Sequence, residues 1–554
     1  MNLKEILSKI ETEYDVITII ELNQWRELPF YKRESWLKKA LYQARKDVYQ
    51  NKERIVLTLT VDYQADLILE IVERLIFEID ISDFFVTFIT NLNLSSDRIS
   101  IIRCDNPVIT VVDGDDVEMK LIKKLSPGYI SIAPEKRDIS TLTNSQANLL
   151  LESETFCMYP WIHLHAYPTG EAWPCCHAER SPGELGSCRE QSLQELWNSP
   201  KQKQLRKDML AGVPNSYCIR CYEREKSGFF SGRQCANKHH GHHINRVDHT
   251  KEDGHLDQFE MTYWDIRFSN LCNLKCRSCG HIFSSTWYQD QVALAGPDWG
   301  KKNKPLQIAG RYEGDLFQQL LEHVDRVEQI YFAGGEPLMM EEHYAILDEL
   351  EKRNMFHVRL IYNTNFTKTK FKDREVFDYW RKFKSVSVGA SLDAMGPRAE
   401  YIRSGTKWET IESNRKRMME ICPEVDFYVS ATLSIMNALH LPDFHREWVD
   451  KGFIRGQDFN VNILQDPAFY RIDIAPQEMK KEIEHRYIEH LLWLKGQDHI
   501  ERATNGFESA IRYMNATDNS YLIGKFWERT LQLDELRNEC IYDYIPELKR
   551  LHND

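Results

Sequence analysis

Three cysteines fall within eight residues, in Cys272-Asn273-Leu274-Lys275-Cys276-Arg277-Ser278-Cys279. Thiolates select soft metals and iron–sulfur clusters. Three of them at the spacing Cys-x3-Cys-x2-Cys are read as ligands to a [4Fe-4S] cluster, which leaves one iron without a protein ligand and open to chemistry. A structural zinc knuckle is the competing reading of the same triplet.

Two further constellations bear on that choice. Gly334-Gly335-Glu336-Pro337 follows a strand-like run. Paired glycines let a backbone approach a ligand closely, and a carboxylate beside them can accept hydrogen bonds from an ammonium group. Taken alone the tetrapeptide is a turn. The second constellation is cysteine-rich: Cys157, Cys175, Cys176, Cys188, Cys218, Cys221 and Cys235. Ten of the 13 cysteines lie between Cys157 and Cys279, a clustering that suits metal binding in a reducing compartment. Cys104, Cys422 and Cys540 are scattered and read as small buried hydrophobes.

The elements that must position these groups follow from periodicity. The 554 residues are enough for three or four domains. Residues 1–150 alternate helical patterns (Glu34–Asn51, Ala65–Phe77) with strands (Arg54–Val61, Phe84–Thr90, Ile101–Arg103, Val108–Val112) and predict a small α/β domain, a docking or recognition unit. Ser126–Ser140 reads as the connector out of it. Residues 151–235 have weak apolar periodicity, two short helices (Ser192–Trp197, Lys201–Met209) and a need for a metal staple. Residues 236–258 hold His239, His240, His242, His243, His249 and His255. Without a cysteine or carboxylate frame they read as a solvated linker rather than a metal site.

From 259 to 475, strands Phe259–Phe268, Gln329–Phe332, Val358–Tyr362, Ser385–Ala390, Asp426–Leu433 and Asp458–Ile463 alternate with helices such as Glu341–Arg353, Thr406–Ile421 and Pro442–Lys451. This predicts an α/β fold, a partial (β/α)6 TIM-like barrel, with reactive groups at the C-terminal strand ends. Residues 476–554 read as helical. The net charge of −13 argues against nonspecific nucleic-acid binding. The N-terminus opens an amphipathic helix rather than a signal peptide, and no stretch reaches the roughly 18 apolar residues of a membrane span. A cytoplasmic protein without a membrane or nucleic-acid partner is expected.

In this order, the triplet and Gly334–Pro337 on successive strands resemble the radical SAM superfamily over residues 259–475. The resemblance implies that Cys272, Cys276 and Cys279 hold a [4Fe-4S] cluster whose open iron is chelated by the amino and carboxylate groups of S-adenosylmethionine. Gly334, Gly335, Glu336 and Pro337 would hold the methionine amino group. Ser391 and Asp393 would meet the ribose or methionyl group, and Arg403 would pair with the carboxylate. Asn363, Asn365 and Thr432 lie at strand ends near the cofactor. Reductive cleavage would give methionine and a 5′-deoxyadenosyl radical that takes a substrate hydrogen, with flavodoxin or ferredoxin as electron donor.

One departure is Ser278, where many relatives carry an aromatic residue beside the adenine; Phe283 and Trp287 are the nearby aromatic alternatives. The upstream cysteines resemble SPASM and twitch auxiliary modules. The four-ligand twitch pattern fits better, because Ser227 stands where a fifth cysteine would be. It assigns Cys157, Cys175, Cys218 and Cys221 to an auxiliary [4Fe-4S] cluster, with Cys176 able to replace Cys175 and a four-cysteine zinc site as the rival. In most relatives such a module follows the barrel; here it precedes it. The resemblance points to oxidation or cross-linking of a peptide or protein side chain, or to oxidation of a small molecule such as an amino sugar. A non-catalytic, zinc-stapled scaffold is the remote alternative. No catalytic base is singled out.

Overall fold

The computed structural model describes residues 142–226, 231–497 and 501–552, together with five strands that precede them. The chain divides into two compact units, Met1–Ser153 with Arg224–Phe230, and Glu154–Glu223 with Ser231–Asp554.

In the first unit, β1 (Val16–Glu21), β2 (Arg54–Thr60), β3 (Phe84–Ile89), β4 (Ser100–Arg103) and β5 (Val108–Val112) form one sheet in the order β1-β2-β3-β5-β4. All pairs are parallel except β4 with β5. The near-continuous β-branched and aromatic runs, such as Arg-Ile-Val-Leu-Thr-Leu-Thr in β2, suit a parallel sheet. β1 was not anticipated. The expected helices at Glu34–Asn51 and Ala65–Phe77, the connector Ser126–Ser140 and Cys104 lie outside the described residues.

The second unit is built on a nine-stranded sheet. β6 (His163–Ala166), β7 (Glu171–Trp173) and β8 (Gly186–Ser187) come from the cysteine-rich stretch. β9 (Tyr263–Ile266) precedes the cysteine triplet, which includes the two-residue strand β10 (Lys275–Cys276). Beyond it run β11 (Gln329–Phe332), β12 (Arg359–Thr364), a small hairpin of β13 (Lys370–Phe371) and β14 (Arg374–Glu375), and β15 (Val386–Ala390). β16 (Arg403–Ser404), β17 (Asp426–Leu433) and β18 (Phe459–Ile463) complete the set. The sheet order is β18-β17-β15-β12-β11-β9-β6-β7-β8. From β18 through β6 every pair is parallel, and β7 and β8 add antiparallel.

All six expected core strands are present and mutually parallel. The seventh parallel strand is β6, whose residues His163 to Ala166 pair with Tyr263 to Ile266. The strands of the cysteine-rich stretch therefore extend the same sheet. Residues 236–258 are likewise not a solvated linker: Gly232–His240 is α-helical, Gly241–His249 is a 3-10 helix, and Ala236, His240, Ile244 and Val247 are buried.

Alternation sets the two faces of the sheet. In β12, Leu360, Tyr362 and Thr364 are buried while Arg359, Ile361 and Asn363 are half-exposed. Tyr362 stacks on Phe332 with ring centroids 5.0 Å apart and meets Trp380 at 5.1 Å, so this face packs against the helices. The opposite face is polar. At the far edge, helix Glu501–Ala516 lies over β18, where Gly506 lets it approach Val461, covering a strand edge that would otherwise be open to pairing. No helix among the described residues is long and apolar enough to cross a membrane.

Candidate iron–sulfur site

The cysteine triplet sits just past the C-terminal end of β9, in a loop tied down on three sides. On one side β10 pairs antiparallel with β16, setting Cys276 opposite Arg403. On the second, the Gly334–Pro337 turn is bonded to the loop: Gly335 N donates to Ser269 O at 3.3 Å and Glu336 N to Leu271 O at 2.7 Å. This approach is why Gly335 is a glycine, since a Cβ there would lie 2.2 Å from Leu271 O. Gly334 takes φ +126°, a region that side chains disfavour. On the third side is the C-terminal helix Ile523–Arg537. The fully buried Arg277 guanidinium pairs with Asp534 and Glu539 and stacks on Tyr401, 3.7 Å from its ring centroid. Arg537 Nε pairs with Asp290, which also receives Lys275 Nζ.

The three thiols lie near enough to influence one another. Burial pushes Cys272 and Cys279 up to about 12 and also raises Cys276; Cys272 is raised further by the nearby Cys276, Glu336 and Cys279, and Cys279 by Cys276. Asn365 Nδ2 lies 3.9 Å from Cys272 Sγ and 3.0 Å from Asn273 Oδ1. The Arg403 Nη1 lies 3.7 Å from Cys276 Sγ.

The residues expected to meet a methionyl ligand are brought to the same end of the sheet, with different contacts from those anticipated. Glu336 is fully buried and its carboxylate already accepts from Thr364 Oγ1 at 2.7 Å, Asn365 N at 2.7 Å and Leu338 N at 3.1 Å. It braces the turn against the end of β12. Arg403 is likewise engaged: Nε donates to Asp393 Oδ2 at 2.8 Å and Nη2 to Asp393 Oδ1 at 3.0 Å. Burial works against the Arg403 charge, but the Asp393 carboxylate outweighs it and raises the pKa. Asp393 also accepts from Thr432 N at 2.8 Å, and Ser391 N donates to Thr364 O at 2.7 Å. Asn363 Oδ1 lies where a Cβ on Gly389 would come within 2.8 Å. Of the two aromatic candidates near Ser278, Trp287 is buried and its indole donates to Cys276 O at 2.9 Å, whereas Phe283 is half-exposed and meets Tyr167 edge-on at 5.7 Å.

Among the upstream cysteines, Cys157, Cys175, Cys218 and Cys221 lie near one another. Burial raises Cys157 well above its ordinary range, with Cys218 and Cys221 adding to it; Cys175 is raised by burial and then by Cys176, Cys157, Cys218 and Cys221. Cys176 is pushed up to about 12 by burial and next by Asp265. Cys188 is fully buried apart from the group and raised by burial and Asp315. Cys235 Sγ lies 3.3 Å from His239 Nδ1. Cys422 is buried as expected, whereas Cys540 is exposed, against the expectation of a buried thiol; Tyr401 donates to Asp534 Oδ1 at 2.8 Å.

Sulfur spacing tests the zinc alternative. Tetrahedral zinc, with Zn–S near 2.3 Å, holds its sulfurs roughly 3.8 Å apart. Among the described residues only His242, His243 and Glu328 bring three candidate ligand atoms all within 4.8 Å of one another; no three cysteine sulfurs do. Neither cysteine group has three sulfurs at that spacing.

Residues 157–222 match the SPASM family, described as an iron–sulfur cluster-binding domain. The match starts at Cys157 and ends one residue past Cys221. No curated protein sequence matches the chain. Remote structural likenesses include anSMEcpe with bound AdoMet and Cp18Cys peptide, at 15% identity over 42% of this chain and 60% of that one, TM-score 0.29. Streptococcus suis SuiB bound to S-adenosylmethionine shows 12% identity over 41% and 43%, TM-score 0.26. SuiB bound to the precursor peptide SuiA shows 13% over 62% and 73%, TM-score 0.30. The chain thus spans less than two thirds of the length of the first two.

Proposed function

We propose that this protein is a radical SAM enzyme with an auxiliary iron–sulfur cluster. It oxidises or cross-links a peptide or protein side chain. The single observation that carries this reading is the direct hydrogen bonding of the Gly334–Pro337 turn to the loop of Cys272, Cys276 and Cys279, at Glu336 N to Leu271 O and Gly335 N to Ser269 O. A three-thiol site and a glycine-lined turn at the C-terminal strand ends are what a cluster with one exposed iron and an amino-acid ligand require.

Cys272, Cys276 and Cys279 would hold the first cluster, and Cys157, Cys175, Cys218 and Cys221 the auxiliary one. When bound, the first cluster supplies the electron that cleaves S-adenosylmethionine to methionine and a 5′-deoxyadenosyl radical. The protein's own work is positional. Glu336 fixes the turn whose backbone faces the ligand. Asp393 fixes Arg403 beside Cys276, where the guanidinium offsets charge on the thiolate. The polar inner face of the parallel sheet, which includes Asn363 and Tyr331, provides the substrate surface. The partial barrel, the cytoplasmic setting and a flavodoxin or ferredoxin donor belong to the same proposal, as does peptide recognition by the N-terminal unit.

Anaerobic reconstitution tests it. About eight irons per chain and broad absorption near 400 nm are expected for two [4Fe-4S] clusters. The triple variant Cys272→Ala, Cys276→Ala, Cys279→Ala should lose about half the iron and all 5′-deoxyadenosine formation. Zinc in place of iron in the wild type, or surviving cleavage in the triple variant, would sink the assignment.

A further inference from the structure

The histidine-rich segment contains a site that the cysteine chemistry does not use. His242 Nε2 lies 2.8 Å and His243 Nε2 3.0 Å from the same oxygen, Oε2 of Glu328. All three ligand atoms are within 4.8 Å of one another. The carboxylate frame that the local sequence lacks is supplied from 85 residues away, at the residue just before β11.

The geometry points to a divalent transition-metal site of the zinc class, held by His242, His243 and Glu328, with the fourth position left to water. Two imidazoles and one carboxylate are a common three-ligand set for zinc and suit cobalt or nickel as well. Ligands at about 2.0 Å from a shared ion stand slightly further apart than these hydrogen-bonded atoms, so entry of the ion needs only a small separation of side chains.

The frame around the site is rigid. Glu328 N donates to Thr262 O at 2.9 Å, and Glu328 O accepts from Arg359 N at 2.8 Å, so the carboxylate rides on backbone locked between β9 and β12. His243 Nε2 is also 3.3 Å from Thr262 Oγ1. The histidines sit on the 3-10 helix Gly241–His249, pinned by the buried Ile244 and Val247. Just before it, His240 stacks on Tyr263 at 5.4 Å. The nearby cation Arg246 is paired with Glu260, at 3.3 Å from Oε2 and 2.7 Å from its carbonyl. His242 and Glu328 are partly exposed, at 31% and 43%, giving the ion an entry path. An ion here would clamp the segment between the two cysteine groups onto the parallel sheet.

The test uses full-length protein with its iron–sulfur clusters reconstituted, given one equivalent of Zn2+ after chelator treatment and then desalted. One zinc per chain is expected, ligated by nitrogen and oxygen only at about 2.0 Å by X-ray absorption. Iron content and cluster absorbance should not change. His243→Ala and Glu328→Gln should each weaken zinc retention at least tenfold while keeping their iron. A sulfur shell near about 2.3 Å would mean capture by cysteines and would overturn the site. So would failure of the wild type to retain zinc, or equal retention by the double variant His242→Ala, His243→Ala.

Discussion

Arg403 and Asp393 are joined at two points, Nε to Oδ2 at 2.8 Å and Nη2 to Oδ1 at 3.0 Å, and the guanidinium's remaining nitrogen reaches to 3.7 Å from Cys276 Sγ. The fork thus connects the end of one core strand to a thiol of the triplet. With the two side chains 14% and 2% exposed, removing one partner strands a buried charge at a cost of about 3–5 kcal/mol. Arg403→Met is expected to lose that much in denaturant unfolding, and Arg403→Met with Asp393→Leu distinctly less. Both should lose S-adenosylmethionine cleavage. A single variant within about 0.5 kcal/mol of wild type would remove the pair from this role.

Gly335→Ala places a methyl against Leu271 O, a backbone atom that cannot rotate away. The turn and the cysteine loop must separate, costing about 1–3 kcal/mol. The variant should retain the auxiliary iron and lose most of the rest. Gly280→Ala, beside Cys279 but with nothing within 4 Å of its new methyl, should match wild type in iron content. Equal iron in the two variants would contradict the close approach.

Burial raises Glu336 from 4.5 to about 7, against the opposing hydrogen bonds from Thr364, Asn365 and Leu338. Below pH 4.5 both folded and unfolded carboxyls are protonated. Between 4.5 and 7 the unfolded chain has lost its proton while the folded one keeps it. Stability attributable to this group therefore falls as pH rises through that window, by about 3 kcal/mol. In cluster-free protein, the difference in unfolding free energy between wild type and Glu336→Gln should change with pH in that sense. A difference that stays flat from pH 4.5 to 7.5 would contradict it.

The buried thiols make cluster loading a proton-releasing step. Burial pushes Cys272 and Cys279 up to about 12, and ligands bind as thiolates. Iron retention against a chelator should rise steadily from pH 6.5 to 9, with about one proton released per ligated cysteine in weakly buffered solution. Retention independent of pH would mean the thiols are already ionised.

Much of the second unit was legible because each core strand carries its own apolar run bounded by turns: Gln329–Phe332 and Asp426–Leu433 match the expected bounds to the residue. What could not be read depends on distant partners. β6 is a four-residue strand, His-Leu-His-Ala, with two histidines and no long apolar run, and its strand character comes from pairing with β9. The 236–258 stretch looks polar, yet its helix is capped locally by Ser231 and Gln234 and then buried by tertiary contacts. Arg277 lies inside the cysteine triplet, but its partners Asp534 and Glu539 are more than 250 residues on. A local signal was available at one point: Ser231-x2-Gln234 is a capping box, the mark of a helix that starts just before the expected linker and runs into it. The partners of Glu336 (Thr364 and Asn365) and of Arg403 (Asp393) come from other strands' ends and could not be read locally.

The parallel pairing of β6 with β9 also bears on synthesis. His165 and Asp265 are 100 positions apart, so at roughly 5–20 residues per second the ribosome takes about 5–20 s to deliver the second after the first. Throughout that interval β6 has β7 on one side and an unpaired edge on the other. All four cysteines of the upstream group are already made by then. A nascent chain that acquired metal early would do so with one wall of its pocket missing. Iron delivery timed after emergence of β9, or a chaperone that shields the β6 edge, would favour correct assembly.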